Sequence, residues 1–448
     1  MKRSFLAAWT MRTAVGLVSA RSPVLGLAGH RSSPLLFLRS TPSAMLRLPR
    51  TLPQLQRQRF STRHYAATTT MSTEAPPSSR FIVDDPKNNV TPYIAALVGR
   101  DLHLKENHPI FIIRQKIQDY FNSLDTEFTI FNGEDPVVTP TQCFDDLLIP
   151  PDHPGRQSSD TYYITDDSLL RTHTSAHQSE HLRQGYESFL CTGDVYRRDE
   201  VDRSHFPAFH QMEGVKLFPA ETVGEDYPSR EAWLESDACK LIAEDLKATL
   251  EGLVDHLFGP VEKRWADDYF PFTEPSFELE IFYNGAWLEV LGCGVIHTDV
   301  LKNVELGHRH GWAFGLGLER LAMILFSIPD IRLFWTEDER FTKQFKNGDV
   351  VTFKPYSKYP PCYKDIAFWV PEDYQENDFY ELTRNVAGDL VELVEVIDEF
   401  THPKTNRRSL CYRITYRSMD RSLTDDEINV LQESVREQAP ELLSVEVR

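Results

Sequence analysis

Two long runs in which apolar residues alternate, 276–283 and 286–297, meet at Phe282-Tyr283-Asn284-Gly285-Ala286-Trp287. An Asn-Gly pair between such runs supplies the two positive-φ positions of a two-residue hairpin. Strands joined that tightly are antiparallel, because parallel neighbours need a crossover of a dozen or more residues. Further strands are expected at 162–165, 189–196 and 209–218. His108-Pro109 opens a helix with Pro at its first position, and Ile110, Ile113, Ile117, Tyr120 and Phe121 follow at helical spacing. A second helix is expected over 229–257, with Leu234, Ala238, Leu241, Leu246, Leu250 and Leu253 on its apolar side. The expected fold class is α+β: a mostly antiparallel sheet flanked by helices, and not a doubly wound parallel one.

Residues 356–448 form a separate unit. A strand near 363–370 precedes a helix near 378–391 and a strand near 392–400. Over 409–418, Leu410, Tyr412, Ile414 and Tyr416 face one side while Cys411, Arg413, Thr415 and Arg417 face the other. Thr424-Asp425-Asp426-Glu427 is a capping box that opens a helix, and Leu442 to Val447 closes as a strand. The order β-α-β-β-α-β is ferredoxin-like.

Charge divides the chain unevenly. Of 448 residues, 48 are Lys or Arg and 67 Asp or Glu, yet residues 1–73 hold one Lys, ten Arg and no acid. The remaining 37 basic residues give 74–448 a net charge of −30, so bulk charge does not announce a nucleic-acid binder and any such contact must come from local patches. Residues 1–73, rich in Arg, Ser, Thr, Ala and Leu, read as an organellar transit peptide, with mitochondrial import favoured over plastid and dual targeting open. The expected division is 1–73 transit peptide, 74–89 linker, 90–345 large domain, 346–355 linker and 356–448 small domain. No apolar stretch is long enough to span a bilayer, so no membrane partner is expected for the mature form. Six scattered cysteines without a C-x-x-C pair form neither a disulfide framework nor a zinc ribbon.

Three stretches carry candidate chemistry. Gly315-Leu316-Gly317-Leu318-Glu319-Arg320 precedes an apolar helix and would hold a guanidinium rigidly above the sheet; alternatively it is a strand-to-helix junction whose glycines permit close packing. Tyr196-Arg197-Arg198-Asp199 ends one strand, and the return strand Phe209-His210-Gln211-Met212-Glu213-Gly214 brings a Gln and a Glu back beside it. An Arg fork there binds phosphate, and the Gln and Glu can hold an ammonium group. In the small domain, Lys404, Arg407, Arg408, Arg413, Arg417 and Arg421 fall within eighteen positions. They form either a solvated loop and strand face or a phosphate-contacting patch with Tyr412 and Tyr416 nearby.

Taken in order, Arg171-Thr172-His173-Thr174-Ser175, Tyr196 to Asp199, Phe209 to Gly214, Phe270-Pro271-Phe272-Thr273, Trp287 to Gly294 and Gly311 to Arg320 resemble phenylalanyl-tRNA synthetase. The resemblance is to its single-chain organellar form, a class II core joined to a ferredoxin-fold anticodon-binding domain, and it covers residues 90–448. It implies the partners ATP, phenylalanine and tRNA(Phe), with Mg²⁺. It implies Arg197 as the grip on the ATP α-phosphate and Arg320 as the group that packs on adenine and reaches the γ-phosphate, with Ser204, His205 and Phe206 in the loop over the nucleotide. Glu289 is the implied acid for ATP, through Mg²⁺. His173, Ser175, Ala176, His177, Gln178, Gln211, Met212 and Glu213 are implied to bind the amino acid, and Phe270, Phe272, Ala313 and Phe314 its ring. The six basic residues from Lys404 to Arg421 are implied to contact tRNA.

The implied reaction is attack of the Phe carboxylate on the ATP α-phosphorus, giving Phe-AMP and pyrophosphate, then acyl transfer to a terminal tRNA ribose hydroxyl in the mitochondrial matrix. Two features depart from the general class pattern. Asp199 stands where Glu is usual, and the dimer-forming first motif is not recognisable around 108–150, so a monomer is expected. Tyr is expected to be excluded by shape, since an apolar pocket discriminates against an added hydroxyl by only about 10². Two other readings remain open: a synthetase core reused as a regulator or non-tRNA ligase, and a zinc peptidase built on His177-Gln178-Ser179-Glu180-His181.

Overall fold

The computed structural model describes residues 80–448 apart from 225, 226 and 356–358. The transit peptide expected over 1–73 lies outside the described residues. Fourteen strands are described: β1 (Thr129–Phe131), β2 (Val137–Val138), β3 (Tyr163–Thr165), β4 (Ser168–Leu170), β5 (Ser188–Tyr196), β6 (Ala208–Phe218), β7 (Glu262–Phe270), β8 (Thr273–Tyr283), β9 (Ala286–Ile296), β10 (His310–Gly317), β11 (Cys362–Trp369), β12 (Val391–Thr401), β13 (Arg408–Tyr416) and β14 (Glu446–Val447).

Seven of them make the central sheet in the order β1-β5-β6-β10-β9-β8-β7. Every pairing is antiparallel except β1 with β5, so the sheet is mixed, with a parallel edge three residues long. Asn284 (φ 51°) and Gly285 (φ 87°) turn β8 into β9 as the Asn-Gly pair requires. β7 and β10 are strands that the sequence patterning did not bring out. β7 is polar along most of its length, as an edge strand can be. β10 is rich in glycine, a poor strand former, but a Cβ at Gly311 would sit 2.2 Å from the Lys216 carbonyl oxygen of β6.

One face of the sheet packs on helices Pro109–Asn122, Asp237–Phe258 and Leu318–Phe326, which together build the largest apolar core. The single helix expected over 229–257 is two. Ser236 adopts an extended conformation and its side chain accepts from the Cys239 amide (3.1 Å), so it caps the second helix and ends the first at Glu235. Each flanking stretch expected as a linker is anchored by one buried aromatic residue and is otherwise largely exposed where it is described. Phe81 is buried, and Asn88 donates to the carbonyls of Phe81 and Ile164. Phe353 is also buried and donates its amide to Phe326 (2.6 Å).

The C-terminal unit has the sheet order β12-β13-β11-β14, the ferredoxin-like arrangement, with helices Glu376–Ala387 and Asp425–Leu443 on one face. Thr424 and Glu427 form the expected capping box. The closing strand is shorter than expected, because the preceding helix carries on through Pro440 to Leu443 and leaves only Glu446–Val447 to pair with β11.

Candidate active site

Strand alternation selects the working face. On β6, Gln211 and Glu213 lie opposite Gly317 and Gly315 of β10, and Gly315 lies opposite Gly292 of β9. A Gln and a Glu therefore rise from a floor largely without side chains. Arg197 follows β5 directly. Its amide donates to Pro207 (3.0 Å), its Nε donates to the Thr172 carbonyl (2.8 Å), and its guanidinium carbon sits 5.1 Å from the centre of the Phe209 ring. Burial lowers its pKa to about 10, which leaves it a cation at neutral pH.

Arg320 is the third residue of helix Leu318–Phe326, and its neighbour Glu319 fixes that helix to the sheet. The Glu319 carboxylate accepts from the His210 amide (2.7 Å) and pairs with His210 Nδ1 (2.7 Å), both groups fully buried. Arg320 Nη1 reaches Glu289 Oε2 of β9 at 3.4 Å. In the loop after Arg197, Asp202 accepts from the amides of Ser204 (2.6 Å) and His205 (2.7 Å) and from His205 Nδ1 (2.7 Å). Burial alone would lower His205, but the Asp202 hydrogen bond and the surrounding acids hold it at about 9. His205 is thus an imidazolium at neutral pH. Glu200, Asp202 and His205 have ligand atoms close enough for a metal ion, and His205 Nδ1 is paired with Asp202 (2.7 Å).

These residues line a cleft of about 700 Å³: Arg197, Asp199, Ser204, His205, Phe206, Phe209, Gln211, Glu289 and Arg320, with Gly292, Gly315 and Gly317. A second pocket of about 250 Å³ adjoins it, sharing Gly292 and Gly315, and is lined by Ser175, Phe270, Phe272, Thr273, Cys293 and Ala313. The Phe270 and Phe272 rings lie nearly parallel, 6.0 Å apart. Glu213 is fully buried beside Ser175, and desolvation raises it to about 8 although Ser175 and Arg171 pull it down. Gln211 Oε1 accepts from the Thr174 amide (3.2 Å), which ties the strand to the 173–178 segment.

Two expected site residues turn their side chains away from the pockets. Met212 and Phe314 are at the alternate positions of β6 and β10, so their side chains enter the helix-packed core. The Phe314 ring stacks on Phe121 (5.5 Å) and crosses Gly214, where a Cβ would lie 2.2 Å from it, so Phe314 borders the pocket with its ring turned away. His173, Ala176 and Gln178 are buried beside the site. His177 is held by Arg171, whose Nη1 donates to its Nε2 (2.8 Å). That guanidinium occupies the position a zinc ion would need, and the His181 ring stacks on Phe131 (3.8 Å), so the zinc-peptidase reading is set aside. Arg171 also pairs with Asp194 (2.8 Å) and fills the space at Gly193, where a Cβ would lie 2.0 Å from Nη2. The motifs quoted from the sequence contain Phe209, His210, Thr273 and Cys293, but without a site role for any of them. Strand alternation from Gln211 was the signal that would have found Phe209.

Residues 93–223 and 232–345 match the tRNA synthetases class II core domain (F), and 357–448 match the ferredoxin-fold anticodon binding domain. The chain is 55% identical over 369 residues to the chloroplastic/mitochondrial phenylalanine–tRNA ligase of Arabidopsis thaliana, covering 82% of this chain and 84% of that one. It is 49% identical to the mitochondrial phenylalanine–tRNA ligase of Mus musculus, covering 81% and 86%. The chain belongs to the phenylalanine–tRNA ligases. The phenylalanine–tRNA ligase alpha subunit of Coxiella burnetii is 38% identical over 257 residues, 56% of this chain and 71% of that one. The ligase's resemblance to the organellar relatives thus extends over both domains, and the comparisons do not support a reused core.

The basic stretch of the ligase's C-terminal domain is largely self-compensated. Arg407 pairs with Glu446 (2.6 Å), Arg408 with Glu399 (2.6 Å), Arg413 with both oxygens of Asp365 (2.8 Å each), Arg417 with Glu392 (2.8 Å) and Arg421 with Glu427 (2.8 Å). Lys404 sits in the exposed turn between β12 and β13. Tyr412 and Tyr416 do not accompany these cations. They are fully buried on the helix-covered face, hydrogen-bonded to Tyr374 (3.2 Å) and Gln432 (3.0 Å). On the open face, Trp369 carries Arg407 and Arg448 at 5.0 and 4.9 Å from its ring centre, with Phe400 and His402 beside it. No helix among the described residues is long and apolar enough to cross a membrane.

Proposed function

We propose that the chain is a phenylalanine–tRNA ligase of the mitochondrion in which the face of β5, β6, β9 and β10 activates phenylalanine with ATP. The observation that carries this reading is the pair of adjoining pockets: a charged cleft and an aromatic pocket share Gly292 and Gly315 as a common wall. A phenylalanine with its ring between Phe270, Phe272 and Ala313 then directs its polar end toward the cleft. Ring burial there contributes about 2–3 kcal/mol.

Each remaining group has a task that follows from its charge. Glu213, buried and at about 8, accepts the α-ammonium and ionises as that cation arrives. Gln211, fixed by the Thr174 amide, orients the amino acid. Arg197 and the His205 imidazolium meet the phosphates, and Phe209 and Arg320 offer flat surfaces to the adenine. A carboxylate oxygen of phenylalanine attacks the α-phosphorus as the bond to pyrophosphate breaks, and Arg197 neutralises charge growing on that phosphate. The terminal tRNA ribose hydroxyl next attacks the acyl carbonyl, AMP leaves, and the amino acid is esterified to tRNA(Phe). No protein nucleophile is needed, so positioning and charge neutralisation supply the rate.

Mg²⁺ accompanies ATP. Glu289 and Glu278 would hold it, since both are raised by burial, Glu278 to about 8 with Glu289 and Asp268 adding to the shift, and such crowded carboxylate oxygens suit a hard divalent cation. When bound, the ion neutralises phosphate charge. The platform of Trp369, Phe400 and His402 with Arg407 and Arg448 supports tRNA bases by stacking. The ligase acts as a monomer, and its segment 1–73 is the import signal.

Amino-acid-dependent ATP–pyrophosphate exchange on the chain lacking residues 1–73 tests this. Exchange with phenylalanine, absent without amino acid and weak with tyrosine, is the expected result. Silence with every amino acid from folded protein would overturn it.

A further inference from the structure

The loop between β5 and β6 has two faces. One lines the nucleotide cleft with Arg197, Asp199, Ser204, His205 and Phe206. The other is held by the C-terminal domain, through the loop's backbone and through the side chains of Arg198, which pairs with Asp378 (3.0 Å), Val201 and Arg203. Arg384, buried in helix Glu376–Ala387, donates through Nη2 to the carbonyl oxygens of Asp199 and of Glu200 (2.6 Å). Asn377, on the same helix, donates to the Arg198 carbonyl (3.1 Å). The Val394 amide of β12 donates to the Val201 carbonyl (3.0 Å), and the Val201 side chain is a member of the C-terminal domain's apolar core. Arg203 then pairs with the buried Glu392 (2.7 Å).

Four consecutive carbonyls, 198 to 201, thus have donors from a domain that contributes no side chain to the cleft. A solvent-exposed loop of this length would have to be ordered by the nucleotide itself, and that entropy would be deducted from the binding free energy.

We propose that Arg384 and Asn377 of the C-terminal domain are positioning residues for ATP: by fixing the backbone of 198–201 they pre-order Arg197 and His205, so nucleotide affinity in the activation step depends on a domain remote from phenylalanine. This rests on reading the loop as the nucleotide's, as set out above.

The test is pyrophosphate exchange on the full mature chain, with KM measured separately for ATP and phenylalanine, for Arg384→Gln, Asn377→Ala, Arg197→Ala and Tyr93→Phe. Tyr93 donates to Asp389 (2.7 Å) across the same domain boundary without touching the loop backbone, so its variant loosens the boundary alone. The expected result is an ATP KM raised about tenfold in Arg384→Gln and severalfold in Asn377→Ala, with phenylalanine KM within about twofold and Tyr93→Phe unchanged. Arg384→Lys should restore part of the loss. An ATP KM within twofold of wild type in both loop variants would overturn the proposal, as would an equal rise in Tyr93→Phe. Should Arg384→Gln fail to fold, the half-buried Asn377 decides alone. Exchange surviving Arg197→Ala would instead remove the reading of the loop as nucleotide-binding, a separate failure with a separate signature.

Discussion

The ligase keeps two sets of charges under opposite regimes. On the catalytic sheet they are buried and their ionisation is displaced, with Arg197 lowered to about 10 and Glu213 raised to about 8. In the C-terminal domain, Arg413 and Arg421 are exposed, and the carboxylates of Asp365 and Glu427 beside them raise their pKa. Displaced ionisation by desolvation, in a group that also lies at a pocket, fits a group whose partner is a substrate, whereas exposed pairs in water contribute little. The density of arginine in the sequence is therefore a weaker pointer to the catalytic face than the buried Arg197 and Glu213.

The largest effect that would break this contrast is at Arg197. Arg197→Ala should lower the exchange rate roughly 10³-fold, the loss typical of a preorganised group on transition-state charge. Glu213→Gln should raise the phenylalanine KM roughly 30–100-fold by leaving a buried ammonium without its carboxylate, with a smaller change for ATP. His205→Gln should raise the ATP KM about tenfold. In the wild type the imidazolium is held at about 9, so it is present at neutral pH and lost as the pH rises through 9, and ATP binding should weaken over that window. The smallest effects belong to the C-terminal domain. Trp369→Ala should raise the tRNA KM of charging about tenfold and leave exchange unchanged, whereas Arg413→Ala should stay within about twofold in both assays. Equal losses in these two variants would dissolve the distinction between the aromatic platform and the paired arginines.

Much of this was legible in the sequence wherever a local rule settles the outcome. The Asn284-Gly285 turn, the Thr424–Glu427 box and the ferredoxin-like order all follow from short-range chemistry. The resemblance named Arg197, Gln211, Glu213, Phe270, Phe272, Ala313 and Arg320; six of them line the two joined pockets, and Glu213 is buried on β6 two residues from Gln211. It also supplied Met212 and Phe314 as side chains, which a two-residue periodicity sends to the opposite face. What stayed hidden was set by distant partners. The neutralising acids Asp365 and Glu446 lie 48 and 39 residues from Arg413 and Arg407, and Glu319 reaches His210 across 109. β10 stayed hidden because glycine carries no strand signal, although its glycines are what let the pocket floor approach the substrate.

The claim that desolvation sets the chemistry of the catalytic face is tested most directly by the proton balance of phenylalanine binding. Glu213 sits near 8 in the free ligase and must be ionised beside the bound ammonium. Titration calorimetry at pH 7 in two buffers of different ionisation enthalpy should therefore report release of about one proton per phenylalanine, absent in Glu213→Gln. Identical heats in both buffers, with phenylalanine bound and the wild-type chain folded, would contradict it.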